Sequence, residues 1–385
     1  MEKRGVSLSW TKAYIVSADI ITPYGHGVER CWSGLLSGKH ALKKVERFDT
    51  RPFVSDQAGL IDGIEYGKED SLVIQALKRL FEKPGHGIPR DARLIVASTK
   101  GEIDLLEQAV AQGNDEFNQC TVASLLPKAQ KLVGVSDSGY VISAACASAS
   151  AALARAASTV TSGAAECVVV VACDSVSEFV YSGFSSLMAL DRTLAKPFDK
   201  NRKGLTLGEA AGYALVMSDA RARKEGRPIM GEIAGWGLTA DANHITGPSR
   251  DGKPLALAIR KAMEMGGDGT TIGSICAHGT GTAFNDSMEI KAFTRALGQR
   301  TSPVYSLKGA MGHSMGAAGL VEALVALKSL GHGATPPNIN LDTVDDEAKG
   351  WAFPEQRPFG GATSVLSTNS GFGGVNAALL LSQVT

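Results

Sequence analysis

Hydrophobic residues form short apolar runs that alternate with segments of helical spacing, and this alternation predicts the order of the elements. Residues 13–21 (AYIVSADII) predict a strand, and Val28 to Leu36 has the apolar spacing of a helix. A further apolar run lies at 93–98, and the β-branched run 166–174 (ECVVVVACD) predicts a central strand that is buried on both faces. Strands that alternate with helices in this way predict an α/β fold.

Two regions share one plan, in which a short strand leads through a tight loop into a helix crowded with small residues. In the first region, 140–144 leads into AACASASAALARAASTV, which places Cys146 at the junction of loop and helix. In the second region, 303–307 leads into MGAAGLVEALVALKSL, which places His313 at the corresponding junction. The shared order indicates an internal duplication, although chance similarity between α/β segments is the alternative that self-similarity alone leaves open.

The second half continues the alternation of strands and turns to the end of the chain. Strands are predicted at 229–237 and 272–277, and the chain closes with SVLSTN, the turn SGFGG and VNAALLLSQV. The charged stretch DARARKEGRPIMG separates the two regions and has the composition of a boundary. The sequence therefore predicts two units, residues 1–228 and 229–385.

Composition narrows the class of protein. The 385 residues, of which 44% are hydrophobic, can bury a large core, and 39 Lys and Arg against 39 Asp and Glu argue against a broadly basic nucleic-acid binder. The 44 glycines indicate many tight turns and close backbone approaches. The first residues contain no apolar signal segment, and the apolar runs are too short to span a bilayer. Six scattered cysteines without a CxxC pair suit a reducing cytoplasm and argue against structural zinc.

One cysteine and two histidines have surroundings that favour chemistry. Cys146 stands among alanines and serines at a predicted helix start, where backbone N–H groups lower the pKa of a thiol and can hold an oxyanion. His278 in AHGTGT and His313 in SLKGAMGHSMGAAG each follow a predicted strand. A thiol and two imidazoles supply a nucleophile and two hydrogen-bond donors. Each has an ordinary alternative, which is a packing or surface role, and Cys167 and Cys173 are assigned to packing.

Charged residues flank both histidines. Lys308 precedes His313, Asp286 follows His278, and Glu322 lies on the helix after His313. They could form a charged shell that orients the imidazoles, and ordinary surface charge is the alternative.

Two further segments are candidates for the site. The stretch 197–212 (PFDKNRKGLTLGEAAG) could be a salt-bridged loop beside it, through Asp199, Arg202 and Glu209. Glycines surround Phe372 in a late turn, whose backbone N–H could supply half of an oxyanion hole. No P-loop and no strand–GxGxxG–helix unit occurs, so nucleotide binding is unsupported.

Taken in order, these motifs resemble the β-ketoacyl-acyl carrier protein synthases of the Cys-His-His type. The motifs are AACASAS, PFDKNRKG with GEAAG, AHGTGT, SLKGAMGHSMGAAG and the terminal GFGGVNAAL, and together they cover nearly the whole chain. The resemblance implies a thiolase fold, an α/β structure of two duplicated halves packed as five layers (αβαβα), usually in a homodimer.

The resemblance also implies a role for each matching residue. Cys146 matches the nucleophile that accepts the acyl chain from a phosphopantetheine thioester. His278 and His313 match the pair that promotes malonyl decarboxylation and stabilises the enolate, with Lys308 near them. The other matches are the supporting acidic residues, the gating phenylalanine whose N–H completes an oxyanion hole with that of the cysteine, and the threonines of the pantetheine channel: Asp286, Glu322, Phe372, Thr246, Thr280 and Thr282.

The implied activity is decarboxylative condensation of an acyl group with malonyl-acyl carrier protein, in the synthesis of fatty acids, polyenes or aromatic polyketides. This chemistry requires no metal or redox cofactor, because the phosphopantetheine arrives with the acyl carrier protein. The neutral net charge leaves room for a local basic patch that receives an acidic carrier protein, and Lys200, Arg202 and Lys203 are candidates for it.

One departure from the family motif and three alternative functions bear on this assignment. Many relatives read Phe-Gly-Phe-Gly-Gly at the gate, whereas this chain begins the motif with Ser370, which leaves its acyl specificity undetermined. A degradative thiolase would use a further cysteine near the C-terminus, but the last cysteine is Cys276. An initiating synthase has asparagine where this chain has His313. A non-catalytic partner of the chain-length-factor kind typically lacks the nucleophile, and a heterodimer with such a relative stays open.

Overall fold

The structure alternates strands and helices as the apolar pattern predicts. The computed structural model describes residues 11–82, 86–114, 120–267, 269–298 and 302–384. The strands are β1 (Ala13–Thr22), β2 (Gly25–His26), β3 (Lys43–Lys44), β4 (Gln57–Gly59), β5 (Arg93–Ala97), β6 (Tyr140–Ile142), β7 (Cys167–Asp174), β8 (Leu207–Gly208), β9 (Ala210–Ser218), β10 (Gly231–Ala240), β11 (Ile272–Cys276), β12 (Val304–Tyr305), β13 (Ser364–Gly371) and β14 (Val375–Ser382). The helices are α1 (Val28–Leu36), α2 (Leu72–Leu80), α3 (Ile103–Ala111), α4 (Leu125–Val133), α5 (Ser148–Thr161), α6 (Glu178–Ser186), α7 (Asp219–Lys224), α8 (Lys253–Gly266), α9 (Ala283–Leu297), α10 (Lys308–Met311) and α11 (Ala318–His332).

The main sheet consists of two halves with the same strand order. Outward from β1 the strands run β9, β7, β5 and β6, and outward from β10 they run β14, β13, β11 and β12. In each half the first two pairings are antiparallel and the last two are parallel. This shared topology is what an internal duplication would produce. The predicted boundary between residues 228 and 229 falls between α7 and β10, and the division into units at that point stays a prediction.

Alternation along the strands places helices on both faces of each half-sheet. Val168 and Val170 pack into a cluster with α5 and α11, whereas Val169 and Val171 pack into a cluster with α2 and α4. The second half does the same, because its strands contribute to the cluster with α5 and α11 and to another with α8 and α9. The layers therefore follow the order αβαβα, with α5 and α11 in contact at the centre.

The two central helices approach closely because their contact is built from small residues. A Cβ added to Gly319 on α11 would lie 2.1 Å from Ser150 Oγ on α5. Ala149, Ala152 and Ala156 on α5 are fully buried. The small-residue helices predicted from the sequence are therefore the central layer of the fold.

Both central helices begin later than the sequence predicts. Helix α5 starts at Ser148, after a loop in which Ala145 has a positive φ of 48°. Helix α11 starts at Ala318, after a 3₁₀ turn in which Met315 has a φ of 50°. An L-residue in this left-handed region interrupts helical geometry, so each helix is preceded by a sharp turn. Within the chain described here, no helix is long and apolar enough to cross a membrane.

Candidate active site

The fold brings the predicted thiol and both predicted imidazoles together. Cys146 follows β6, His278 follows β11 and His313 follows α10. The cysteine Sγ and one ring nitrogen of each histidine lie within 4.8 Å of one another, and all three side chains are buried. The two imidazole rings meet edge to face, with centroids 5.1 Å apart. Thiol and imidazole groups also bind zinc well, so these three side chains could hold a metal ion. A bound ion would take up the thiol as a ligand.

Hydrogen bonds assign the same neutral tautomer to both imidazoles. His313 Nδ1 accepts the backbone N–H of Met315 at 3.2 Å, so its proton lies on Nε2, which is buried and unpartnered among the described atoms. His278 Nδ1 lies 3.3 Å from the amide nitrogen of Asn369, which can only donate. Both Nε2 atoms therefore carry a proton. Burial, followed by the charge of Lys308, holds the pKa of each imidazole well below its usual range.

A buried chain of polar groups leads from a lysine to His278. The Lys308 ammonium lies 2.5 Å from Glu322 Oε1, and both side chains are almost completely excluded from solvent. Asn369 Nδ2 donates to the other oxygen of Glu322 at 2.6 Å while it contacts His278. Two of the predicted charged residues, Lys308 and Glu322, therefore reach the imidazole through an asparagine that the sequence analysis did not identify.

The loop after β11 is fixed by two carboxylates of α9. Glu289 accepts the backbone N–H groups of His278 at 2.8 Å and Gly279 at 2.6 Å. Asp286 accepts those of Phe198 at 2.8 Å and Gly281 at 3.2 Å, so it holds loop backbone and forms no hydrogen bond with an imidazole among the described residues. Burial, together with the charge of Asp286, raises the pKa of Glu289 to about 8. Glu289 was not among the residues predicted from the sequence, although it shares the buried face of α9 with Asp286.

A third carboxylate, also missed, fixes the turn after His313. Asp174 at the end of β7 accepts the backbone N–H of Gly316 at 2.7 Å and that of Thr99 at 3.0 Å. It also accepts the Ser98 hydroxyl at 2.8 Å. One carboxylate therefore joins the turn that carries His313 to the first half of the molecule.

Burial, and not the helix, dominates the environment of Cys146. It raises the pKa of the thiol to about 11, against the opposing charges of Lys100 and Lys308 and a hydrogen bond from the backbone N–H of Phe372. The predicted lowering of the thiol pKa is therefore wrong. The reason is that α5 begins beyond Cys146 and that the sulfur is almost fully excluded from water. The backbone N–H of Phe372 nevertheless lies beside the thiol, as predicted.

The three reactive groups line a cavity of about 570 Å³. Thr246, Thr280 and Thr282, the predicted channel threonines, all line this cavity, and the hydroxyls of Thr280 and Thr282 lie 2.9 Å apart. Arg250 and Phe284 also line it, with the guanidinium stacked 3.4 Å from the ring centroid. The wall therefore combines hydroxyl groups with one exposed cation.

A second cavity, of about 350 Å³, also borders the thiol. Cys146 and Phe372 line both cavities, together with Phe184 and Leu187. Its ring stacks on Phe184, with centroids 5.6 Å apart. The second wall is largely apolar but contains Lys100.

Ser370 fixes the hairpin that carries Phe372. Its hydroxyl donates to Asn376 Oδ1 at 2.7 Å, and the amide of Asn376 donates to Asp241 at 2.6 Å. The departure from the family motif at this position therefore adds a hydrogen bond within the hairpin of β13 and β14.

The predicted salt-bridged loop is held together differently from the prediction. Asp199 accepts the backbone N–H groups of Asp342 at 2.9 Å and Thr343 at 2.7 Å. Glu209 pairs with the buried guanidinium of Arg47. The two carboxylates thus connect the loop to distant segments, and within the loop Arg202 Nη1 donates to the backbone carbonyl of Asp199 at 2.8 Å.

Arg202 is not available as part of a basic surface patch. Its guanidinium pairs with Asp345 at 2.6 Å, lies 3.7 Å from Asp286, and the side chain is only 8% exposed. The proposed patch therefore loses its arginine, whereas Lys200 and Lys203 are exposed.

The chain is similar to known proteins over nearly its whole length. The family description "Beta-ketoacyl synthase, N-terminal domain" matches residues 91–222, and "Beta-ketoacyl synthase, C-terminal domain" matches residues 230–342. The 3-oxoacyl-[acyl-carrier-protein] synthase 2 of Vibrio cholerae serotype O1 is 30% identical over 98% of this chain and 100% of the relative. The tetracenomycin polyketide synthase ketoacyl synthase alpha subunit of Streptomyces glaucescens is 28% identical over 97% of each chain.

Solved structures show the same architecture. The ishigamide ketosynthase/chain length factor is 26% identical and superposes with a TM-score of 0.88 over 98% of this chain and 100% of the other. A type II PKS ketosynthase in complex with its acyl-carrier protein is 22% identical, with a TM-score of 0.85 over 98% of this chain and 100% of the other. These likenesses confirm the predicted thiolase fold.

Proposed function

Because the chain belongs to the β-ketoacyl synthase family, we propose that it catalyses a decarboxylative Claisen condensation. An acyl group held as a thioester on Cys146 condenses with malonyl-acyl carrier protein to give 3-oxoacyl-acyl carrier protein and CO₂. The observation that carries this proposal is the cluster of one thiol and two imidazoles, within 4.8 Å, at a cavity wall.

Acyl transfer comes first. Sγ of Cys146 attacks the carbonyl carbon of the incoming thioester, and the pantetheine sulfur leaves with the proton that the thiol gives up. The negative charge on the carbonyl oxygen is held by the backbone N–H groups of Phe372 and Cys146, because Phe372 N–H already points at the sulfur. The charges of Lys100 and Lys308 favour the thiolate that this step needs.

Decarboxylation and bond formation follow. When the malonyl thioester loses CO₂, the electron pair of the broken bond moves to the thioester oxygen and gives an enolate. The Nε2–H groups of His278 and His313 donate to that oxygen, and the depressed pKa of both rings keeps them neutral donors. The enolate carbon then attacks the acyl carbonyl, and the Cys146 thiolate leaves and recovers a proton from solvent.

The supporting residues hold this arrangement in place. Lys308 and Glu322 fix the tautomer of His278 through Asn369, and Asp286 together with Glu289 fixes its loop. The phosphopantetheine arm of the carrier protein is proposed to enter along Thr246, Thr280 and Thr282, while Phe372 separates it from the acyl chain.

The proposed setting is a cytoplasmic enzyme of fatty acid or polyketide synthesis that works with acyl carrier protein. The reaction needs no resident cofactor, since the pantetheine belongs to the carrier protein. All six cysteines are free thiols, which suits a reducing compartment. A homodimer is proposed, and the likeness to a ketosynthase/chain length factor pair keeps a heterodimer as an alternative.

A non-catalytic partner subunit is the second candidate, because that structural relative combines both kinds of chain. The thiol, both imidazoles and the buried charges are all assembled here, which favours the catalytic assignment. A degradative thiolase has less support, because the other five cysteines do not line the cavity that holds Cys146.

The experiment incubates the protein with acyl-carrier thioesters of varied chain length and malonyl-carrier protein, and identifies the products by mass spectrometry. Wild type is expected to form an acyl-enzyme and a 3-oxoacyl product. Cys146→Ala should lose the acyl label and the product but still release CO₂ from malonyl thioester. His313→Ala should keep the label and lose the product. Absence of a 3-oxoacyl product with every primer, alone or with a partner subunit, would contradict the proposal.

A further inference from the structure

A lysine lines the second cavity, the one of about 350 Å³, among mostly apolar side chains. Lys100 follows β5 and borders the second cavity together with Cys146, Phe184 and Phe372. Its ammonium lies 5.9 Å from the centroid of the Phe184 ring. No carboxylate in the described ranges forms an ion pair with it, whereas Lys308 in the neighbouring network has one. The cation is thus partly buried without a counter-ion.

The hydrogen bonds of this ammonium are incompletely used. Lys100 Nζ contacts Thr99 Oγ1 at 3.2 Å and the sulfur of Met315 at 4.0 Å, and a thioether is a weak acceptor. An ammonium has three N–H donors, so a single contact with an oxygen leaves donors for whatever occupies the cavity. Ser143 and Thr99 add hydroxyl groups to the same wall.

We propose that Lys100 is a specificity residue that selects acyl groups carrying an oxygen acceptor along the chain. The proposal rests on the proposed function, in which the acyl group on Cys146 extends into this second cavity. A carbonyl or carboxylate oxygen would accept from the ammonium in a cavity whose wall is largely apolar. The chemical class is therefore an oxygenated acyl thioester, as opposed to a plain saturated chain of equal length.

Lys100 would discriminate between saturated and oxygenated acyl groups because the two solvate its ammonium differently. A hydrocarbon chain displaces water from Nζ and returns no hydrogen bond, which leaves a buried charge poorly solvated. An oxygenated chain replaces the water with a charge-assisted hydrogen bond. Sites built to bond a polar substrate group reject the analogue that lacks it more strongly than apolar pockets reject an extra polar atom.

Lys100 also acts on the thiol, and the experiment must separate the two effects. Its charge favours the thiolate of Cys146, so its removal slows acylation by every thioester alike. The ratio of acylation rates for two thioesters cancels that common factor. A change in the ratio therefore reports recognition of the acyl chain.

The experiment measures kcat/KM for acylation of Cys146 by mass spectrometry, with six-carbon acyl thioesters that are saturated, keto-substituted within the chain, or terminated by a carboxylate. In wild type we expect the oxygenated thioesters to exceed the saturated one by about tenfold or more, which is the scale of one hydrogen bond to a charge. In Lys100→Met the ratio should fall to about one, and Lys100→Arg should restore a ratio above it. Comparison of the keto-substituted and carboxylate-terminated thioesters shows whether recognition by Lys100 needs a charged oxygen or only a neutral one.

Matched controls keep the outcomes distinct. Lys261→Met removes an exposed lysine of α8 and should leave the wild-type ratio unchanged. Thermal melts identify any variant that fails to fold, and Lys100→Gln then replaces Lys100→Met. An unchanged ratio in a folded Lys100→Met protein, or a preference of wild type for the saturated chain, overturns this inference alone. Failure of every thioester to label wild-type Cys146 would instead contradict the proposed function.

Discussion

The two halves of the molecule have the same strand order and pairing directions but bury different chemistry. The first half contributes Cys146 on a loop before α5, a helix whose buried side chains are mostly alanine and serine. The second half contributes both imidazoles and buries the Lys308–Glu322 pair against α11. The Glu322 carboxylate of that pair is linked to His278 through Asn369. The charges that favour the Cys146 thiolate are instead those of Lys100 and Lys308. One scaffold used twice thus separates the nucleophile from the groups that stabilise an enolate.

One asparagine of the second half forms hydrogen bonds with both halves. Asn369 on β13 accepts the hydroxyl of Ser150 from α5 and donates to Glu322 and His278 in its own half. Gly319 lies at the same crossing, and an added Cβ would lie 2.8 Å from the Asn369 oxygen. We therefore predict that variants in the second half can abolish CO₂ release from malonyl thioester while acylation of Cys146 in the first half is still measurable.

The largest expected effect comes from Glu322→Gln in the second half. It leaves the buried Lys308 ammonium without its counter-ion, which is expected to lower the free energy of unfolding by about 3–5 kcal/mol. CO₂ release from malonyl thioester should fall sharply, because the polar chain to His278 is disturbed, while acylation of Cys146 persists. Urea unfolding and the two rate assays measure these effects.

Glu29→Gln is the matched control for the buried pair. Glu29 pairs with Lys328 on the same helix α11, but its carboxylate is 76% exposed. An exposed pair contributes below about 1 kcal/mol, so both rates and the unfolding midpoint should stay near wild type. Equal destabilisation by the two variants would show that burial of the Lys308 pair has no special consequence.

The two half-reactions should also differ in their dependence on pH. Burial raises the pKa of the Cys146 thiol to about 11, so the thiolate fraction and the acylation rate should rise about tenfold per pH unit in the neutral range. The pKa of each imidazole lies well below 6.5, so CO₂ release should stay flat from pH 8.5 down to 6.5. Parallel pH profiles for acylation and CO₂ release would contradict the assignment of separate groups to the two steps.

The same pKa shifts make a prediction for stability. Below pH 6.5 the unfolded chain protonates His278 and His313, whereas the folded protein keeps them neutral. The unfolded state then binds more protons, so the free energy of unfolding falls as pH decreases below that value. Replacement of His278 by glutamine should remove part of this loss, which unfolding curves at two pH values would measure.

Local sequence motifs predict the reactive residues but not the residues that form hydrogen bonds with them. Cys146, His278 and His313 each stand in a glycine-rich or small-residue motif beside a predicted strand, so pattern and motif suffice to find them. Asn369 reaches His278 only because β13 pairs beside β11. The thiol pKa depends on burial by both halves, which no local pattern contains. Contacts between distant segments therefore decide what the sequence leaves undetermined.

The smallest of these effects tests the crossing of α5 and α11 at Gly319. An alanine there would place its Cβ 2.1 Å from Ser150 Oγ, so Gly319→Ala is expected to destabilise the protein by about 1–3 kcal/mol. Gly331→Ala on the same helix meets no atom within 4 Å, and it should instead stabilise by about 0.5–1 kcal/mol through lower chain entropy. Ser150→Ala removes the clashing hydroxyl and should recover part of the loss in the double variant, but not all, because the backbone nitrogen at position 150 would still lie 2.8 Å from the new Cβ.

If Gly319→Ala matched Gly331→Ala in urea unfolding, the close contact between the halves would make no contribution to stability. Loss of CO₂ release in Gly319→Ala with acylation retained would place the damage at Asn369, on the second half's side of the crossing.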